Sequence, residues 1–114
     1  MEATALNLPD DLRAALDQAV AAIVEIAHPE LVILFGSWAE GTARPDSDVD
    51  LLVVAETDHP HRLTADLRKA IRPFFPKTPL DVVVLTHKRW EWARGIRGFM
   101  PRDADRRGVR LHAA

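Results

Sequence analysis

Asp48, Val49 and Asp50 follow Gly36-Ser37 after a gap of ten residues, and a third acid, Asp81, opens a later β-branched run. In an extended chain successive side chains point to opposite faces, so Asp48 and Asp50 emerge on one face roughly 7 Å apart, within reach of a shared cation pair. Val49 points the other way. Gly36 lets the backbone approach a ligand without a side chain in the way. Ser37 offers a hydroxyl and an amide where a helix would begin, a natural seat for phosphate oxygens. Paired carboxylates beside a phosphate cradle imply Mg²⁺, a hard cation commonly held by one or two carboxylates together with substrate phosphates. If the strand opened by Asp81 lies beside that of Asp48, Asp81 projects towards the same cation site. Otherwise it simply occupies a strand mouth near solvent.

Several elements must position these groups. Leu31 to Phe35 is a short apolar run ending at the Gly-Ser turn, the expected first strand. Leu51-Leu52-Val53-Val54 is apolar on both faces, which suits a strand in the middle of a sheet and anchors the two aspartates on a rigid element. Asp81-Val82-Val83-Val84-Leu85 reads as a buried third strand. Leu12, Leu16, Ala19, Val20, Ile23 and Ala27 form one stripe of an amphipathic helix over roughly residues 9 to 27, with Asp10 and Asp11 at its positive end and His28-Pro29 at its close. A short helix is expected between Ser37 and Arg44, and Arg44-Pro45-Asp46-Ser47 returns the chain to the second strand. Leu63, Leu67, Ala70, Ile71 and Phe74 mark another helix, after which Pro73, Pro76 and Pro79 prevent continuation. Thr86 caps a helix through Trp90, Trp92, Ala93 and Ile96, interrupted by Gly95 and Gly98. Val109-Arg110-Leu111-His112 alternates like a final strand or edge. These elements describe an α/β (α+β) fold.

Neighbouring residues admit two readings each. Trp38 could stack on a base or pack under the loop, and packing is the commoner use of a large aromatic. Arg44 could touch a phosphate or pair with Asp46 on the surface. His59 and His61 could share an adventitious metal, but no third ligand stands near them in the sequence. Trp90 and Trp92 cannot share a helix face, so one packs inward while the other is available to an interface.

At 114 residues the chain fits a single domain, residues 1 to 114, with room for a core but not for a second substrate domain. With no cysteine there is no disulfide, thiolate zinc site or cysteine nucleophile, which is compatible with a reducing cytoplasm. No apolar run approaches the roughly 20 residues of a membrane span, and the first residues lack the pattern of a signal peptide, so a soluble cytoplasmic protein is expected. The net charge of -2 is unevenly spread: from His87 onward eight Lys or Arg face three acids, a net +5 that leaves -7 for the remainder. Such imbalance marks either a partner surface, nucleic acid or acidic protein, or solvated helix faces.

The string Phe-Gly-Ser-Trp-Ala-Glu-Gly-Thr-Ala-Arg-Pro-Asp-Ser-Asp-Val-Asp-Leu, residues 35 to 51, resembles the motif of the DNA polymerase beta-type nucleotidyltransferase superfamily, and in particular its minimal nucleotidyltransferase (MNT) branch. The similarity extends more loosely through Pro79 to Val84 and on to Arg107 to Leu111. The resemblance implies a nucleotidyltransferase fold, a small mixed β-sheet with helices packed mainly on one face. It also implies two Mg²⁺ ions held by Asp48, Asp50 and Asp81, and a nucleoside triphosphate, ATP first, bound by Gly36, Ser37, Asp48 and Asp50. Asp81 would help take the proton of an acceptor hydroxyl. MNT proteins of this size resemble the antitoxins of HEPN-MNT pairs, which silence an RNase toxin, in some cases by attaching AMP to it. The alternatives are a non-catalytic module that covers its partner, or a transferase acting on RNA ends or a small molecule. Direct nucleic-acid binding and oligomeric state stay open.

Overall fold

The computed structural model describes residues 8–114. The chain runs α1 (Asp10–Ala27), β1 (Leu31–Phe35), α2 (Ser37–Glu40), β2 (Val49–Val54), α3 (Pro60–Ile71), a 3-10 turn (Arg72–Phe74), β3 (Leu80–Leu85), α4 (His87–Ala93), α5 (Met100–Arg107) and β4 (Val109–Ala113). The strands form one mixed sheet in the order β3-β2-β1-β4. Both neighbours of β1 run antiparallel to it, and β2 and β3 run parallel, joined through α3.

β2 behaves as its composition demands. Leu51, Leu52, Val53 and Val54 have no exposed surface, and each buried side chain of this kind contributes about 1.5–3 kcal/mol. One face of the strands, Val32, Leu34, Val49, Leu51, Val53, Leu80, Val82 and Val84, packs against Leu12, Leu16, Ala19 and Ile23 of α1 and Leu67 and Ile71 of α3. These helices carry the main core. The other face, Leu31, Ile33, Leu52 and Val54, is covered by Trp90 of α4 and Ala104 of α5.

Helix ends follow local chemistry. α1 starts after Pro9 with Asp10 and Asp11 in its first turn and stops where His28 takes a left-handed conformation (φ 46°), its amide closing on the Val24 carbonyl. α3 has Pro60 in its first turn and tightens into the 3-10 turn around Pro73. The Thr86 hydroxyl accepts from the Arg89 amide at 3.3 Å, which caps α4 as expected. The expected extension of that helix to Ile96 does not occur, since α4 ends at Ala93 and the chain turns through Gly98 (φ 88°) into α5, an element with no apolar stripe to announce it. β4 is the edge strand that the alternation at Val109–His112 anticipated. Among the described residues, no helix is long and apolar enough to cross a membrane.

Candidate active site

The C-terminal end of β1 and the N-terminal ends of β2 and β3 meet at one end of the sheet. Asp50 lies opposite Phe35 on β1 and opposite Asp81 on β3. Because side chains alternate, Asp48, Asp50 and Asp81 all project from the α4 and α5 face, while Val49, Leu80 and Val82 point into the α1 and α3 core. A carboxylate oxygen from each of the three acids lies within 4.8 Å of the other two. Among the described residues they form the one group of three or more His, Cys, Asp or Glu side chains so placed, and His59 and His61 belong to none.

Backbone contacts fix the two acid-bearing strands at their mouths. The Val49 amide donates to the Pro79 carbonyl at 2.9 Å, which sets the β2–β3 register at the point where the aspartates emerge. Asp48 is held from the other side: the Trp38 indole donates to the Ser47 carbonyl at 3.0 Å, and the Ser47 hydroxyl accepts from the Arg44 amide at 2.8 Å. Trp38 therefore packs under the loop. Arg44 and Asp46 form no ion pair with each other, the Arg44–Ser47 turn being closed through backbone and hydroxyl instead.

Gly36 turns the chain over this acid cluster with φ 80°. A Cβ there would collide with the Asp50 Oδ2, so the glycine is required twice, by its conformation and by the carboxylate beneath it. The Ala39 and Glu40 amides both close on the Gly36 carbonyl at 3.1 Å, and the Thr42 amide on that of Ser37 at 3.0 Å. By helix geometry the Ser37 and Trp38 amides, ahead of the first turn, are those left to a ligand. Sequence reasoning missed both the contact of Gly36 with Asp50 and the anchoring of the Asp48 loop by Trp38 and Ser47. The second carried a local signal, a serine closing a Pro-containing turn; the first is a cross-strand contact with none.

The electrostatics are unfavourable as they stand. Burial, then the charge of Asp81, then that of Asp48, push the Asp50 carboxyl up to about 6. A donor set made wholly of carboxylate oxygens at this spacing fits a hard divalent cation, which would relieve that repulsion. A cavity of about 640 Å³ lies elsewhere: it opens on the α1 side between Leu12, Trp38, Pro45, Phe74 and Lys77, and none of the three acids lines it. The three clustered carboxylates could hold a cation, whereas the residues lining that hollow include no such group.

Residues 18–97 match the family model described as polymerase beta, nucleotidyltransferase. A solved structure described as a minimal nucleotidyltransferase is 27% identical over 88% of this chain and 92% of its own, with a TM-score of 0.63. A toxin–antitoxin crystal structure with AMP-PNP shares the fold at a TM-score of 0.63 and 19% identity, covering 86% of this chain and 73% of that one. Another solved nucleotidyltransferase gives a TM-score of 0.53 at 22% identity, covering 89% and 98%. No curated protein matches the chain significantly.

Proposed function

Because the chain belongs to the polymerase beta nucleotidyltransferase family, we propose that it moves a nucleoside monophosphate, AMP from ATP, onto an acceptor hydroxyl of a HEPN RNase partner and so acts as an antitoxin. The observation that carries the reading is the convergence of Asp48, Asp50 and Asp81 beside the Gly36-Ser37 turn. A fold neighbour solved in a toxin–antitoxin complex with AMP-PNP supports testing a protein acceptor and an adenine nucleotide first.

Asp48, Asp50 and Asp81 would hold two Mg²⁺ ions, which when bound neutralise charge on the attacking and leaving oxygens. Asp50, between the other two acids and the more enclosed, anchors the cluster from the central strand. Asp81, exposed at the edge strand, stands where an acceptor can approach and takes the hydroxyl proton as the acceptor oxygen bonds to the α-phosphorus. The α-phosphorus to bridging-oxygen bond breaks and pyrophosphate leaves. The Ser37 hydroxyl and the Ser37 and Trp38 amides grip the β- and γ-phosphates, and Gly36 keeps the turn low enough for them to pass over Asp50.

The test is co-incubation of the chain with Mg²⁺, α-labelled ATP and the protein encoded by the adjacent reading frame. Label on that protein, lost with Asp48→Ala plus Asp50→Ala together with its neutralisation, is the expected result. Neutralisation that survives without label transfer selects a non-catalytic covering module. Label found on RNA ends or on a small-molecule hydroxyl, with none on protein, replaces the acceptor.

A further inference from the structure

Trp92 and Phe99 are two of the three large hydrophobic side chains left exposed among the described residues, at 57% and 45%. They are not scattered. Their rings meet edge to face at 6.1 Å, and the Arg89 guanidinium sits over the Trp92 ring at 5.7 Å. Beside them a groove of about 420 Å³ is lined by Thr86, Lys88, Arg89 and Trp92. Arg97, also exposed, lies two residues before Phe99 in the same connection.

The cations of this patch lack counter-ions among the described residues. Arg94 is engaged by Glu91 and Asp105, and Arg110 by Asp105, which consumes two of the three acids of the C-terminal segment. Lys88, Arg89 and Arg97 have no ion-pair partner among the described residues. Trp and Arg are common at protein interfaces too, but such interfaces are depleted in Lys, and three neighbouring cations with no counter-ion suit a polyanion better. The same inventory matches what an unpaired polynucleotide needs: an aromatic surface for a base and cations for the phosphates on either side. A duplex would keep its bases away from the rings.

We propose that the face formed by Thr86, Lys88, Arg89, Trp92, Arg97 and Phe99 binds single-stranded nucleic acid. The face is separate from the acid cluster, since α4 leaves the sheet at the C-terminal end of β3, roughly 13 Å of strand away from Asp81. It is also independent of the proposed nucleotide transfer.

The experiment is a titration of the whole chain with end-labelled oligouridylate and oligothymidylate of about 12 nucleotides, in EDTA at about 50 mM salt, followed in the parent by tryptophan fluorescence and in the parent and every variant by the anisotropy of the label. Quenching is expected with either strand; Trp90 is only 1% exposed and Trp38 is half-buried under the Asp48 loop, so a signal from this face is one that Trp92→Ala abolishes. Because Trp92 is exposed, Trp92→Ala should fold normally while weakening binding about tenfold or more, and Trp92→Phe should keep most of the affinity. The affinity should fall with salt at a log–log slope of about -2, as for three cations on a single strand, and flatten when Lys88, Arg89 and Arg97 are changed to Gln. Asp48→Asn with Asp50→Asn should leave the titration unchanged. Absence of quenching at low salt, or equal affinity for Trp92→Ala and the parent, overturns the proposal. So does a Trp92→Ala variant that loses a protein partner while neither strand binds the parent chain, because the face would then be a protein docking surface.

Discussion

Two charged clusters sit on the same face of the sheet and are built in opposite ways. Around α4 and α5, Asp105 is met by Arg94 at 3.2 Å and by Arg110 at 2.7 Å, while Arg94 also reaches Glu91 and lies over the Trp90 ring. Glu91, Arg94, Asp105 and Arg110 each have a counterpart, and their network ties two short helices and an edge strand together. At the other cluster, three carboxylates share a cleft with no cation beside them among the described residues, and one is pushed towards neutrality. A folded chain gains nothing by that arrangement alone, because like charges in a half-buried site oppose folding. The paired network is what stability selects, whereas the unpaired one makes physical sense as a seat for cations and phosphates.

Changing the unpaired cluster should therefore separate function from stability. Asp50→Asn is expected to reduce nucleotidyl transfer by about a thousandfold or more, about 4 kcal/mol in the barrier, measured as label transfer at fixed Mg²⁺ and ATP. The same variant should melt no lower than the parent without ligands. A lower melting temperature would remove the contrast. Gly36→Ala tests the turn that covers the acids: the positive φ and the collision with Asp50 should cost about 1–3 kcal/mol by denaturant unfolding and reduce transfer as well. Stability equal to the parent would mean that the turn is not pressed against the carboxylate as described.

The paired cluster should respond the other way. Asp105→Ala leaves Arg94 and Arg110 without their shared partner, and because that carboxylate is only 17% exposed a loss of about 1 kcal/mol is expected, with kcat unchanged. The smallest effect concerns pH. A carboxyl whose folded pKa lies above its ordinary 3.8 binds its proton more tightly in the folded state, so it favours folding in acid and that contribution is lost as pH rises towards and through about 6. Melting curves of the parent and Asp50→Asn, without divalent ions, should diverge by a few degrees at most between pH 4 and 6.5, the parent falling relative to the variant. Parallel curves would contradict the electrostatic environment of Asp50.

Much of this site is written in short-range pattern. Alternation along Asp48-Val49-Asp50 puts two acids on one face whatever the rest of the chain does, and the apolar runs after Asp50 and Asp81 allow little but buried strands. The parallel pairing that sets Asp81 opposite Asp50 is long-range, and family resemblance rather than periodicity pointed to it. The contact between Gly36 and Asp50 depends on the β1–β2 register and has no local trace. α5 escaped a search for apolar periodicity because only Pro101 and Ala104 are buried in it; its marks are Pro101 in the first turn, with Asp103 early and Arg106 and Arg107 late. Trp90 and Trp92 divided as two residues on different helix faces must, one buried and one exposed. Which of them would turn inward was settled by the cavity that Leu31, Ile33, Leu52 and Val54 leave for a large ring, again a property of the assembled sheet.

Thermal unfolding with and without Mg²⁺ and ATP, for the parent and for Asp48→Asn with Asp50→Asn, decides whether the three acids are a cation and nucleotide site. At ligand concentrations near a hundred times the dissociation constant the parent should gain about 2.7 kcal/mol, a rise of several degrees, while the double variant gains nothing. A parent midpoint that does not move at saturating Mg²⁺ and ATP, or a double variant that rises equally, would contradict it.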